Sequence, residues 1–200
     1  MLNLYIVRHG QTEWNLERRF QGWLDSPLTE HGVESAKQLK QHLKPHRFHH
    51  CVSSPSPRAS RTMELILSEH HGGYKTDERL REINLGPWQG MKHEEIEVQF
   101  PEQLEIFYNH PENFWLSDAE TYHDVYERVN GFLNEQVTTA TKKSEPHNVL
   151  VVTHGVTLMM FQLIMDGKPL KELSEYTVAP NTQVHHYTYH EDRFSKKVVD

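Results

Sequence analysis

Two kinds of hydrophobic spacing alternate along this chain. Leu2 to Val7 is a short apolar run and Val149 to Val152 a continuously apolar one, the pattern of buried strands. Phe48 to Ser53 reads as a further strand, and strand-like segments close the chain near Gln183 to Tyr189 and Phe194 to Val199. Between them apolar residues recur at helical spacing. Val33, Ala36, Leu39 and Leu43 form one stripe, with Thr29 as its cap and Pro45 as its stop. Pro57 suits the first turn of a helix carrying Ala59, Met63, Ile66 and Leu67, stopped near Gly72-Gly73. His93 to Asn109 reads as two short helices split by Pro101. Val125, Val129, Phe132, Leu133 and Val137 mark a helix from about Tyr122 to Thr139, and another runs from about Val156 to Met165. Gly10 to Leu28 reads as a polar loop.

Strands alternating with helices predict an α/β sandwich, with helices on both faces of a mainly parallel sheet. Ligands of such sheets bind beyond the carboxyl ends of the strands. The residues at each strand exit are therefore informative. Val7 is followed by Arg8 and His9; Val52 by Ser53, Ser54 and, at a helix start, Arg58; Val152 by Thr153, His154 and Gly155. Three strands thus deliver two arginines and two histidines to one edge of the sheet. Two helix N-termini point the same way, and those favour anions.

Composition narrows the picture. At 200 residues the chain suits a single domain. A net charge of −7 without a basic run argues against nucleic acid as a partner. An anionic ligand would need a local positive cluster. No run approaches the ~18 apolar residues of a membrane helix, and Met1 to Val7 lacks the basic flank of a secretory signal, so a cytoplasmic place is expected. The single cysteine, Cys51, excludes an intramolecular disulfide and reads as a small buried hydrophobe. The 16 histidines include no His-Glu-x-x-His helix, and the doublets at 49–50, 70–71 and 185–186 suit strands or loops, so no metal site is expected.

The strand-exit cluster suits phosphoryl transfer. Two arginines offer forked donors that match a phosphate. A histidine among them can attack phosphorus and split one displacement into two. A protonated carboxyl group could then supply the leaving oxygen with its proton.

The residues around this cluster carry a resemblance. Arg8-His9-Gly10-Gln11-Thr12-Glu13-Trp14-Asn15 resembles the Arg-His-Gly-x-Thr-x-x-Asn signature of the histidine phosphatase superfamily, in its phosphoglycerate-mutase-like branch. Gln21-Gly22, Asp25-Ser26-Pro27-Leu28-Thr29 and Gly32 extend it. Ser53 to Thr62 matches a second block around Arg58. Arg79 to Ile83, followed by Gly86, Trp88 and Gly90, matches an acid block, and Val152 to Gly155 a second-histidine block. The resemblance implies a three-layer α/β/α sandwich with a mainly parallel sheet. It implies one domain over 1–200, with a helical cover at roughly 91–121. It makes His9 the nucleophile and Glu82 the acid, then the base that activates water. Arg8, Arg58 and His154 surround the phosphoryl group with Asn15 as a further donor, and Gln21 and Gly22 stand at the substrate. No metal or cofactor is implied, and the partner is a small phosphorylated metabolite.

Some positions depart from the family pattern: Gln89 where Glu is frequent after the Trp, Glu34-Ser35-Ala36 in the early helix, and Asp118-Ala119-Glu120-Thr121 before the long helix. Trp14, Phe20, Trp23, Trp88, Phe114 and Trp115 could line a leaving-group cavity or pack the core. Arg79 and Arg81 read as solvated or paired. The leading function is a phosphomonoesterase of broad specificity acting through a phosphohistidine. A 2,3-bisphosphoglycerate-dependent mutase and a catalytically silent phospho-ligand-binding module stand as alternatives. The segment between Glu82 and His154 is poor in cations, chiefly Lys92, Arg128, Lys142 and Lys143, which disfavours a carboxylate clamp built from it. A homodimer is left open.

Overall fold

The structure, a computed structural model, describes residues 1–67 and 73–197. At its centre lies β1 (Leu2–Arg8), parallel to β4 (His147–Thr153). Strand β2 (His50–Ser53) runs parallel to β4, and the two-residue β3 (Lys75–Thr76) runs parallel to β2. On the other side β5 (Val184–His190) is antiparallel to β1, and β6 (Arg193–Lys197) is antiparallel to β5. The spatial order is β3-β2-β4-β1-β5-β6, a mainly parallel sheet with an antiparallel edge.

Side-chain alternation feeds two cores from one sheet. Leu2, Leu4, Ile6, Val149 and Val151 pack with α6 (Tyr122–Thr141) and α7 (Gly155–Met165). Tyr5, Val7, Leu150 and Val152 pack with α2 (Glu30–Leu43) and α3 (Pro57–Ile66). Burial on both faces is why these strands are strongly apolar. Cys51 lies in the second core, and burial pushes its thiol up to about 11. The register places Arg8 opposite Thr153 and Ser53 opposite Val152, so three strand exits end level with one another.

Capping explains where the helices begin. Thr29 accepts from the Gly32 amide at the start of α2, and Pro57 occupies the first turn of α3. Thr121 and Asp124 cap α6 reciprocally. The same device nucleates α1 (Glu13–Leu16), where the sequence reads as loop: Thr12 and Asn15 close a capping box over a single turn with no buried apolar residue. Helix α3 ends earlier than the glycines imply, at Ile66, with Leu67 already extended; Gly72 lies outside the described residues.

Pro101 separates α4 (His93–Gln99) from α5 (Pro101–Asn109). Ile96, Leu104 and Phe107 tie them to the larger core, where the fully buried Trp88 ring meets Phe20, Phe100, Phe107 and Phe114. Trp88 and Phe114 are thus core residues, whereas Trp115 is exposed. No helix among the described residues is long and apolar enough to cross a membrane.

Candidate active site

A cavity of about 360 Å³ opens at the carboxyl ends of the strands, and Arg8, His9, Arg58 and Glu82 share its wall. His9 follows directly from β1, and its amide donates to the Thr153 carbonyl of β4 at 2.9 Å. Its ring has a defined tautomer. Nδ1 lies 2.7 Å from the Gly10 carbonyl, which can only accept. Arg58 Nε donates to Nε2 at 3.3 Å, so Nε2 carries the lone pair. Burial, then the charges of Arg58 and Arg8, hold the His9 pKa well below its ordinary value. The ring is neutral at pH 7, and its Nε2 lone pair accepts from the Arg58 cation.

Arg58 is buried and tightly held. Nη1 donates to the Leu24 carbonyl at 2.7 Å and to Asp25 Oδ1 at 3.0 Å, and Nη2 donates to the Gly22 carbonyl at 2.8 Å. Burial lowers its pKa while Asp25 opposes the shift. Gly22 adopts φ +52°, which suits glycine, and this left-handed turn precedes the carbonyl of Leu24 in the same short segment. Arg8 donates from Nη1 to the Ala179 carbonyl at 2.7 Å, and its buried Nε has no protein partner.

Glu82 receives three backbone amides. Oε1 accepts from the Ile83 amide (3.0 Å) and the Thr157 amide (3.2 Å), with Thr157 Oγ1 at 3.2 Å as well, its proton shared with the nearer Arg81 carbonyl. Among the described residues Oε2 accepts from the Val156 amide alone, at 3.1 Å. The amino end of α7 is therefore occupied by this carboxylate. At the amino end of α3 the Arg58 amide likewise donates to Asp25, at 3.2 Å. The helix ends that the sequence offers to an external anion hold the chain's own carboxylates. A phosphate is left to the arginines and His9.

His154 sits one layer deeper than the sequence implies. It is fully buried and off the cavity wall, its ring centroid 5.1 Å from that of His9. Nε2 lies 2.7 Å from Ser54 Oγ, while Nδ1 is buried without a protein partner. Burial first, then Arg58 and His9, keeps its pKa well below the ordinary value. Asn15 lines the cavity, but its Oδ1 serves the Thr12 amide and Asn181, so only Nδ2 is uncommitted among the described residues. Gln21 is buried on the cavity wall: Nε2 donates to Thr12 Oγ1 at 2.9 Å, and Oε1 has no partner.

Several supporting residues carried no signal of their own. Asn181 donates to the His9 carbonyl at 2.9 Å from a loop with no motif. Thr62 accepts from the Gly10 amide at 2.9 Å. The stretch of chain carrying Glu82 is pinned from three sides. Arg128 donates to the carbonyls of Arg79 (2.8 Å) and Arg81 (2.7 Å), Thr157 Oγ1 to Arg81 (2.6 Å), and Thr153 Oγ1 to Leu80 (2.8 Å). Glu120, in one departing segment, pairs with Arg128 at 2.9 Å and accepts from the Asn84 amide at 2.8 Å. Gln89, the other departure, accepts from the Trp23 amide at 2.6 Å, while Trp23 Nε1 donates to the Glu82 carbonyl at 2.9 Å. Arg79 pairs with Asp77 and Glu135, and Arg81 with Glu78. Of the six aromatics singled out, Trp14 and Phe20 line the cavity.

Known proteins resemble this chain in sequence and in fold. Residues 4–200 match the model of the histidine phosphatase superfamily, branch 1. The chain is 33% identical to phosphoserine phosphatase 1 of Hydrogenobacter thermophilus, over 86% of this chain and 80% of that one. It is 34% identical to the "probable phosphoglycerate mutase GpmB" of Shigella dysenteriae, over 79% and 72%. Among solved structures, Bacillus stearothermophilus YhfR superposes with a TM-score of 0.91 at 33% identity, covering 99% and 96% of the two chains. A mycobacterial glucosyl-3-phosphoglycerate phosphatase complexed with VO3 gives 0.87 at 27%, covering 98% and 97%. The chain belongs to branch 1 of the histidine phosphatase superfamily.

Proposed function

We propose that the protein is a phosphomonoester hydrolase of broad specificity for small phosphorylated metabolites, acting through a phosphohistidine at His9. The observation that carries this reading is the His9 ring. Its tautomer leaves Nε2 unprotonated, and Arg58 and Arg8 stand beside it in a cavity that also holds a carboxyl group. The arginines and Asn15 Nδ2 hold the phosphoryl oxygens, where charge is carried in the transition state. Nε2 attacks phosphorus, and the bond to the leaving oxygen breaks. A proton passes from Glu82 to that oxygen. Oε2 is the atom to carry it, because Oε1 already has two backbone amide donors and Oε2 one. Water then attacks the phosphohistidine, Glu82 takes its proton, and phosphate leaves with His9 restored. His154, bonded to Ser54, supports the phosphoryl site from behind His9, and Gln21 and Gly22 shape its edge.

The relatives are named for phosphoserine, glucosyl-3-phosphoglycerate and phosphoglycerate chemistry, which supports a small anionic ester as substrate. A mutase reading is favoured by the similarity to GpmB and to a phosphoglycerate mutase of known structure from Bacillus anthracis. A panel of phosphate monoesters assayed with EDTA present, beside a mutase assay, tests the proposal. Hydrolysis of several esters, unaffected by EDTA, is expected. A mutase rate above the hydrolytic rate, or strong EDTA inhibition reversed by a divalent metal, would overturn it.

A further inference from the structure

The cavity has a second cationic wall that phosphoryl transfer does not use. Arg18 and Arg19 follow α1 and line the same cavity as Arg8 and Arg58. Arg19 is committed, to Glu17 and to the Gly90 carbonyl at 2.8 Å. Arg18 is not. Among the described residues its guanidinium has no hydrogen bond and no acidic partner, and the charge it projects falls on the neighbouring Tyr108 hydroxyl. Tyr108 lines the cavity too.

The backbone at Arg18 is held in an unfavourable form. Its φ is +56°, a left-handed conformation that is unfavourable for a residue with a Cβ. It is fixed on both sides. The Arg18 amide donates to the Asn15 carbonyl at 3.3 Å, and the Arg18 carbonyl accepts from the His93 amide at 3.0 Å. Asn15 belongs to the nucleophile loop and His93 opens α4, so the turn that carries Arg18 is anchored to both. A partnerless guanidinium on a fixed turn, in a protein of net charge −7, is a standing attractor for an anion. The cavity wall carries four arginines against the one carboxylate of Glu82. A transferred phosphate engages Arg8 and Arg58, Asp25 pairs with Arg58 and Glu17 with Arg19, and Arg18 is the cavity arginine left without an acidic partner among the described residues.

We infer that Arg18 determines specificity by pairing with a second anionic group on the leaving group, a carboxylate or a further phosphoryl. The inference rests on the phosphatase reading above. The poor supply of cations between Glu82 and His154 does not bear on it, because this wall is built from residues before Glu82.

The test uses two matched ester pairs. Glycerol 3-phosphate and 3-phosphoglycerate differ by a carboxylate; fructose 6-phosphate and fructose 1,6-bisphosphate differ by a second phosphoryl group. For each pair the ratio of kcat/KM, charged over neutral, is measured for wild type, Arg18→Asn and Arg18→Lys. Asparagine removes the charge and tolerates the left-handed backbone; lysine keeps the charge. One charge-assisted pair is worth about tenfold in affinity. Arg18→Asn should therefore lower the ratio about tenfold for one pair or both, mainly through KM. Arg18→Lys should restore much of it, and raised salt should shrink the wild-type ratio. The pair that responds identifies the anion. Ratios unchanged in Arg18→Asn for both pairs would overturn the inference while leaving the hydrolase intact. If no ester is hydrolysed, the phosphatase reading fails separately. Calorimetric binding of the same four compounds then decides Arg18 on the ratio of dissociation constants.

Discussion

Acidification from pH 7.5 to 5.0 should destabilise this protein far more than its surface histidines would suggest. His9 and His154 are held neutral by burial and by neighbouring arginines, and burial brings His185 down to about 4. In the unfolded chain each returns to an ordinary value of about 6.5. The unfolded state therefore binds more protons in this window, and stability rises with pH. The contribution is complete above about pH 6.5 and declines as pH falls below it. At pH 5.0 the solution is about 1.5 units below the unfolded value, so His185, with its folded value at about 4, loses about 2 kcal/mol. That is already a sizeable part of the ~5–15 kcal/mol total stability of a typical domain, with a slope near pH 5 of about 1 kcal/mol per pH unit. His9 and His154, held well below the ordinary value, steepen the loss, and His147 and His186, also lowered, act in the same direction. Asp77 and Asp124 are lowered too, but carboxylates contribute only towards about pH 4, below this window. Urea melts at pH 7.5, 6.5, 5.5 and 5.0 measure the slope, and His154→Asn should make it shallower. A stability that stays flat from pH 7.5 to 5.0 would refute the lowered values of these rings.

Glu82→Gln keeps an acceptor for the α7 amides but removes the transferable proton. It should slow alkyl phosphates by about 10²–10⁴-fold and 4-nitrophenyl phosphate clearly less, in pre-steady-state phosphorylation rates. Equal losses on both would make Glu82 a positioning group. Asp25→Asn removes the charge that balances buried Arg58, and breaking such a pair costs a few kcal/mol. It should lower both the melting temperature and kcat/KM about tenfold or more, and a variant unaffected in both would show that the backbone carbonyls alone hold Arg58.

Part of the site was legible because Arg8, His9 and Arg58 follow strands, where a short apolar run ends in polar chemistry. Glu82 had no such placement and was singled out only by the acid block of the family resemblance. The deeper position of His154 was not legible, since the same spacing serves a ring facing the cavity or one facing Ser54. The helix N-termini misled for a related reason. Sequence shows that an anion is favoured there, not that Glu82 and Asp25 fill the place. Helix α1 escaped because one capped turn has no apolar stripe to read. Asn181 escaped because it reaches His9 from a loop far along the chain, and long-range backbone support leaves no local pattern.

The covalent intermediate is the most direct test of the proposed chemistry. Brief mixing with a monoester labelled in its phosphoryl group, followed by denaturing quench, should trap one acid-labile, base-stable label per chain, on Nε2 of His9. The label should be completely absent in His9→Ala. Label retained in that variant, or found on any other side chain, would contradict a phosphohistidine at His9.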